Sequence, residues 1–149
     1  MDSVEIKIDE INTGVHIIEE HIHAITELWP LLAIPVELEK AAGIYAAFPA
    51  PTEIIPAGSI GLIFDIHWAV VSAISANGDY ILRLYQGAAL AETPIATISV
   101  VRNAIQSQEG SMQLLTPRIA AGVRISGAIS SGNNAQDTLA VKLQYHTYP

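Results

Sequence analysis

The chain has 149 residues, of which 15 are acidic and 7 are basic, and its formal net charge is −8. An acidic surface repels the phosphate backbone, so this balance argues against a nucleic-acid-binding protein. The chain contains no cysteine, which excludes disulfide scaffolds, thiolate zinc sites and cysteine nucleophiles.

The acidic charge is concentrated at the N-terminus: residues 1–40 hold nine acidic and two basic side chains, whereas 41–149 hold six and five. Apolar residues in the first segment alternate in steps of four and three, which is typical of a coiled coil. The positions of this seam include Ile11, Val15, Ile18, Ile22, Ile25 and Trp29. β-Branched residues at both core positions favour three strands or more. We therefore predict a short parallel trimeric coiled coil that ends at Pro30.

The first eleven residues have a second interpretation, because Asn12-Thr13-Gly14 is a typical cap and turn. Before this turn, Val4, Ile6 and Ile8 alternate with polar residues as in a strand. Residues 1–11 are then an arm that becomes ordered only on a partner, to which its alternating apolar residues can add a strand at a sheet edge. The alternative for the whole seam is an amphipathic helix packed on its own domain.

Residues 31–51 are rich in proline and alanine, which predicts a connector with one short strand or turn near Ile44–Phe48. From residue 52 to 149 the apolar residues recur with a period of two, which predicts a β-sandwich body. Strands are expected at Ile60–Ile74, Tyr80–Gln86, Ile95–Arg102, Met112–Thr116, Val123–Ser130 and Thr138–Tyr148. The Asn77-Gly78 pair predicts a tight hairpin between the first two of these strands.

A short repeated sequence motif indicates which type of sandwich the chain forms. Ile55-Pro56-Ala57-Gly58 and Ile119-Ala120-Ala121-Gly122 each precede a long strand. In both, the glycine can supply the positive φ of a tight turn. Paired long strands of this kind favour a jelly-roll-like antiparallel sandwich over an immunoglobulin-like one.

Metal and catalytic sites have little support in the sequence. Asp65 and His67 point to one face of a strand, but a third ligand, for instance His146, would have to come from elsewhere. We therefore predict no bound metal and no cofactor. Nucleophile elbows, P-loops, dinucleotide fingerprints and HExxH helices are absent from the sequence, which argues against an enzyme.

The surface composition bears on assembly. Half of the residues are hydrophobic and 15% are charged, against roughly 25% charged residues in an average domain. So little charge on a small protein predicts an oligomer that hides part of its surface. No apolar run reaches the roughly 18 residues of a membrane span, and Met1-Asp2-Ser3-Val4-Glu5 lacks the basic start of a signal peptide. We expect a soluble protein that is made in the cytoplasm and has no membrane partner.

Several segments, in order, resemble small virion accessory proteins of tailed bacteriophages. The segments are His23-Ala24-Ile25-Thr26-Glu27-Leu28-Trp29-Pro30, Phe64-Asp65-Ile66-His67-Trp68, Tyr80-Ile81-Leu82-Arg83-Leu84-Tyr85 with Gly87, and Asp137-Thr138-Leu139 to Tyr145-His146-Thr147-Tyr148. The resemblance implies a trimeric head-fibre, decoration or tail-associated protein of the virion, anchored on capsid or tail proteins by its N-terminus. It supplies no catalytic residues, and this chain lacks a basic anchor.

The alternative function is a receptor- or glycan-binding head of a phage fibre. Jelly-roll trimers expose loops that suit sugars. The aromatic side chains available to stack on a sugar face are Trp68, Tyr85, Tyr145 and Tyr148. The turns Asn77-Gly78 and Gly132-Asn133-Asn134 would then carry the specificity.

Overall fold

The computed structural model describes residues 27–30, 34–103 and 110–149. Their regular structure is entirely β, which confirms the prediction of a mainly β protein. The strands are β1 (Glu27–Trp29), β2 (Val36–Glu39), β3 (Thr52–Ile55), β4 (Ile63–Ser72), β5 (Gly78–Gln86), β6 (Thr93–Arg102), β7 (Gly110–Gln113), β8 (Ile125–Ser131) and β9 (Thr138–Tyr148). None of these residues belongs to a helix with the length and apolarity needed to span a membrane.

The strands form two antiparallel sheets that pack as a sandwich. The first sheet has the order β1-β9-β4-β7, and β2 also pairs with β9. Because β4 lies along the other side of β9, strands β1 and β2 share one edge, opposite residues 143–145 and 138–141. The second sheet has the order β3-β8-β5-β6. Its inward residues and those of β4 and β9 form one continuous apolar core.

The predicted hairpin at Asn77-Gly78 is wrong. Strand β4 lies in the first sheet and β5 in the second, so this turn carries the chain from one sheet to the other. Ile74, just before the turn, is only 2% exposed, and its burial directs the chain across the end of the core. The hairpin partner of β5 is β6. Each of the six predicted strands nevertheless overlaps an observed one.

The predicted connector contains the expected turn and, in addition, a strand of the sheet. Ile44 and Tyr45 form the turn and residues 46–48 have no regular structure, whereas Val36–Glu39 pairs with β9. Leu38, at the centre of that strand, is 1% exposed and belongs to the core. The sandwich therefore includes residues that precede position 52.

Trp29 does not belong to a coiled-coil seam, because it lies in β1 opposite Leu143. Its ring packs against the core of the body, and its indole N–H donates to the carbonyl of Ile54 at 3.0 Å. Trp29 is therefore apolar because it packs within its own chain, whereas the heptad spacing predicted that it packs against a partner chain. The other seam positions, Ile11, Val15, Ile18, Ile22 and Ile25, and the arm residues Val4, Ile6 and Ile8 lie outside the described residues.

A β-bulge in β4 decides which of its side chains face the core. Phe64 and Ile66 point into the core before the bulge, and Ala69 and Val71 point into it afterwards. The register with β9 shifts between Ile66 and Trp68, so the inward-facing side chains change from even-numbered to odd-numbered positions. This shift explains the long apolar run in the sequence. It also leaves His67 in the irregular part of the strand.

One end of the sandwich is closed by a buried polar cluster. The Lys40 ammonium, in a residue only 1% exposed, donates to the carbonyls of Gly43 (2.8 Å) and Asn133. The Asn133 side-chain amide donates to the Asn77 carbonyl and to the Asp137 carboxylate, both at 2.7 Å. These bonds tie together the two turns that the glycan hypothesis treats as separate exposed loops.

Candidate functional site

Three side chains that can bind metals meet on the outer face of the first sheet. Antiparallel pairing places Asp65 directly opposite His146. Their neighbours Phe64 and Ile66 on β4 point into the core, so alternation along the strand directs Asp65 outward. The bulge brings His67 beside them. The structure thus joins the Asp65 and His67 pair recognised in the sequence to the third residue that the sequence could only suggest.

The ligand atoms of these residues are close to one another. His67 Nε2 lies 2.8 Å from Asp65 Oδ1, and His146 Nδ1 lies 3.7 Å from the same oxygen. The two imidazole nitrogens are 3.3 Å apart. All three atoms therefore point toward one small volume. The prediction of no bound metal depended on the presence of two ligands only, and the fold supplies a third.

The site is largely shielded from solvent. The side chains of Asp65, His67 and His146 are 10%, 15% and 3% exposed. Asp65 Oδ1 is buried without a hydrogen-bond partner, because the short contact with His67 lacks hydrogen-bond geometry. A buried acceptor in this state is rare in folded proteins. It indicates that the carboxylate is arranged for a further positive or hydrogen-bonding group.

Tyr148 supports the site from the end of β9. Its hydroxyl donates to Asp65 Oδ2 at 2.7 Å, and its ring stacks on His146 at 4.4 Å between centroids. The Arg118 guanidinium lies 3.8 Å from the centre of the Tyr148 ring. Burial raises the pKa of Tyr148, and its hydrogen bond to Asp65 and the charge of that carboxylate add to the effect, while Arg118 opposes it. The phenol is thereby kept as a donor.

Tyr148 and Arg118 were not expected at this site from the sequence. Tyr148 follows His146 by two positions, so strand alternation alone places both on one face. Arg118 comes from the segment that follows β7, and its proximity depends on a bridge between Phe64 and Ile119. Strand spacing was therefore a usable signal for Tyr148. No local pattern indicates the position of Arg118.

The aromatic residues considered for sugar stacking do not share a face. Tyr85 is 9% exposed and belongs to the second sheet, whereas the other three lie in the first. Tyr145 packs against the core, and Tyr148 stacks on His146. Trp68 is half-buried on β4. These four side chains therefore form no common platform for a sugar ring.

Alkaline pH should destabilise the protein. Burial raises the pKa of Tyr80, Tyr145 and Tyr148, and acidic neighbours raise each further. A raised pKa in the folded state gives stability that is complete below the unfolded pKa of about 10 and is lost as the pH rises through the folded value. Phenolate absorbance and circular dichroism, followed together, should show these tyrosines ionising late and with unfolding. Reversible ionisation of all three at the ordinary pH, with the fold intact, would contradict this prediction.

Comparisons with known proteins give no family for the chain. No family model and no curated protein matches it. Among solved structures it is similar to PirA, with 16% identity and a TM-score of 0.37 over 76% of this chain and 94% of that chain. It is also similar to the Eiger TNF of S. frugiperda, with 9% identity and a TM-score of 0.34 over 82% and 92% of the two chains.

A third similar structure is that of infectious bursal disease virus, Gx strain, with 14% identity and a TM-score of 0.33. That match covers 75% of this chain and 30% of the viral one. At these identities and scores, none of the comparisons assigns a function to this chain.

Proposed function

We propose that the chain is a non-catalytic, homotrimeric structural protein of a phage virion that decorates the capsid or forms a head fibre. The observation that carries the proposal is a β-sandwich with little surface charge and with exposed apolar side chains. This body follows an acidic segment that has the isoleucine spacing of a three-stranded seam. Such a molecule is suited to assembly with copies of itself and to display on a larger particle.

The strand order supports a jelly roll as the finer description of the fold. Along the chain, β2, β4, β7 and β9 belong to the first sheet, and β3, β5, β6 and β8 belong to the second. Eight strands divided in this way, in two four-stranded sheets, are the arrangement of viral capsid and lectin jelly rolls. Strand β1 extends the first sheet on the edge that it shares with β2.

The body has few charges available to solvent. Arg124 pairs with Glu53 at 2.8 Å and with Glu92 at 3.2 Å. Asp65 and Asp137 are 7% and 6% exposed. Surfaces that assemble permanently are poor in charge and rich in apolar area, so this distribution supports burial between subunits.

Exposed apolar side chains support the same conclusion. The large ones within the described part of the chain are Ile34, Ile44, Tyr45, Leu62, Ile63, Leu90 and Leu115. Leu62 and Ile63 lie at the start of β4. Leu115 lies on the adjoining segment, whose neighbours Leu114 and Thr116 bond to the backbone of β4. Single exposed apolar residues are ordinary, whereas a group of neighbouring ones favours a contact surface.

In the proposed assembly, the N-terminal seam joins three bodies and the three arms hold the trimer on the particle. Three weak contacts on one trimer act as one strong contact, because the first to form raises the effective concentration of the others. Deleting residues 1–11 should therefore leave the trimer folded and reduce its occupancy on particles by roughly tenfold or more. Quantitative gel analysis of purified particles measures the occupancy.

A matched pair of variants tests whether the apolar face of the arm makes the contact. Aspartate at Val4, Ile6 and Ile8 should release the protein, whereas aspartate at Ser3 and Lys7, on the other face, should retain it. Wild-type occupancy of the truncated trimer would contradict the arm hypothesis. That result would indicate that the loops of the body make the contact with the particle.

Electron microscopy of virions that carry this chain tests the proposed function itself. We expect trimeric projections on the head. Projections on tail fibres, together with binding of the purified protein to host glycans, would favour the receptor-binding alternative. Absence from the particle would contradict both.

A further inference from the structure

The separations among the three ligand atoms match those around a single metal ion. Metal bonds of about 2.0–2.1 Å place neighbouring ligands roughly 3.0 Å apart in octahedral geometry and roughly 3.4 Å apart in tetrahedral geometry. The three observed separations are 2.8, 3.3 and 3.7 Å. We propose that Asp65, His67 and His146 bind one first-row divalent metal ion per chain. This inference does not depend on the proposed function.

The unpartnered carboxylate oxygen is the second observation that points to a cation. Asp65 is only 7% exposed, and its Oδ1 has no hydrogen-bond partner although it faces two imidazole nitrogens. A hydrogen-bonded network would direct a ring N–H at that oxygen. A metal ion between the three atoms would satisfy this oxygen.

The ligand set favours zinc. Imidazole suits zinc, copper, iron and nickel, whereas calcium takes six to eight oxygen ligands and magnesium usually keeps several waters. Two imidazoles and one carboxylate are a known zinc ligand set, which leaves one coordination position for water or an external ligand. His67 has the most exposed side chain of the three, 15%, so the open position lies on its side of the site.

Tyr148 acts as a positioning residue for this site. Its hydroxyl donates a hydrogen bond to Asp65 Oδ2, so that Oδ1 remains available to bind the metal. Partners of this kind orient a ligand, and their loss typically weakens metal binding by about 10- to 100-fold. The bound ion would also link β4 to β9, the two central strands of the first sheet.

The test is a zinc titration of the untagged full-length protein by calorimetry, with elemental analysis after dialysis. We expect one zinc per chain. Asp65→Asn, which preserves the size of the side chain, and His67→Gln should each weaken binding at least tenfold. Tyr148→Phe should weaken it by about tenfold. Circular dichroism of each variant establishes that the fold is retained, and Tyr148→Phe remains informative if the other two fail to fold.

The matched control addresses the other three histidines of the chain, His16, His21 and His23. A variant with glutamine at all three should still bind one zinc per chain. In NMR spectra, zinc should shift the ring signals of His67 and His146. Loss of zinc in the triple variant, unchanged affinity in Asp65→Asn and His67→Gln, or no binding by the wild-type protein would each overturn the inference.

Discussion

Aspartate at both Ile18 and Ile25 should dissociate the proposed trimer into monomers. Both residues are seam positions in the predicted coiled coil, so each trimer would bury six carboxylates in an apolar core. Burial of an unpaired carboxylate costs several kcal/mol per chain unless the group protonates. Strand β1 begins at Glu27, so both substitutions precede the first described strand of the sandwich. Sedimentation measures the loss of trimer, and circular dichroism should still show a folded β body.

The control for this prediction adds the same charges to the outer face of the segment. Aspartate at His16 and His23 changes the net charge by the same amount without entering the seam, and the trimer should persist. A stable trimer in the Ile18 and Ile25 variant would contradict the seam assignment. Dissociation of both variants would instead indicate a general effect of negative charge on an already acidic segment.

Removal of residues 1–51 should prevent stable folding of the body. The deletion removes Leu38, which is 1% exposed, and Trp29, which packs on the core and bonds to the Ile54 carbonyl. Truncating a buried leucine costs about 2–5 kcal/mol and a buried tryptophan about 3–5 kcal/mol. Their sum is comparable to the whole stability of an ordinary domain, about 5–15 kcal/mol. The loss of β1 and β2 would also expose the edge of β9.

The matched fragment for this prediction is 27–149, which keeps every described strand. It should unfold cooperatively in denaturant and give a far-ultraviolet spectrum dominated by strand. Fragment 52–149 should be largely unfolded or aggregated under the same conditions. Equal free energies of unfolding for the two fragments would show that the first two strands contribute little.

The sequence by itself determined where most of the chain is extended. In Thr138–Tyr148 the predicted and observed strands coincide, because Leu139, Val141 and Leu143 occupy every second position and all three enter the core. Alternation is a local property of the backbone, so it can be recognised without knowledge of the fold. The same rule placed Asp65 and His67 on one face. It therefore identified two of the three residues of the candidate site before any strand pairing was known.

The tertiary structure alone decided which strands are neighbours. Asn77-Gly78 has the composition of a hairpin turn, yet the strands on either side of it belong to different sheets. Trp29 fits a heptad pattern, yet its ring packs on the core of the body. In both cases the local preference is worth less than the apolar burial that the whole sandwich provides.

At the candidate metal site, too, the sequence provides the residue types and the tertiary structure brings them together. His67 and His146 are 79 positions apart in the chain, and their ring nitrogens lie 3.3 Å apart in the fold. The pairing of β4 with β9 creates that proximity, and the bulge after Ile66 adjusts it. Strand register depends on which faces can be buried across the whole sandwich, so no local pattern contains it. The residue types were evident in the sequence, and their convergence was a property of the folded chain.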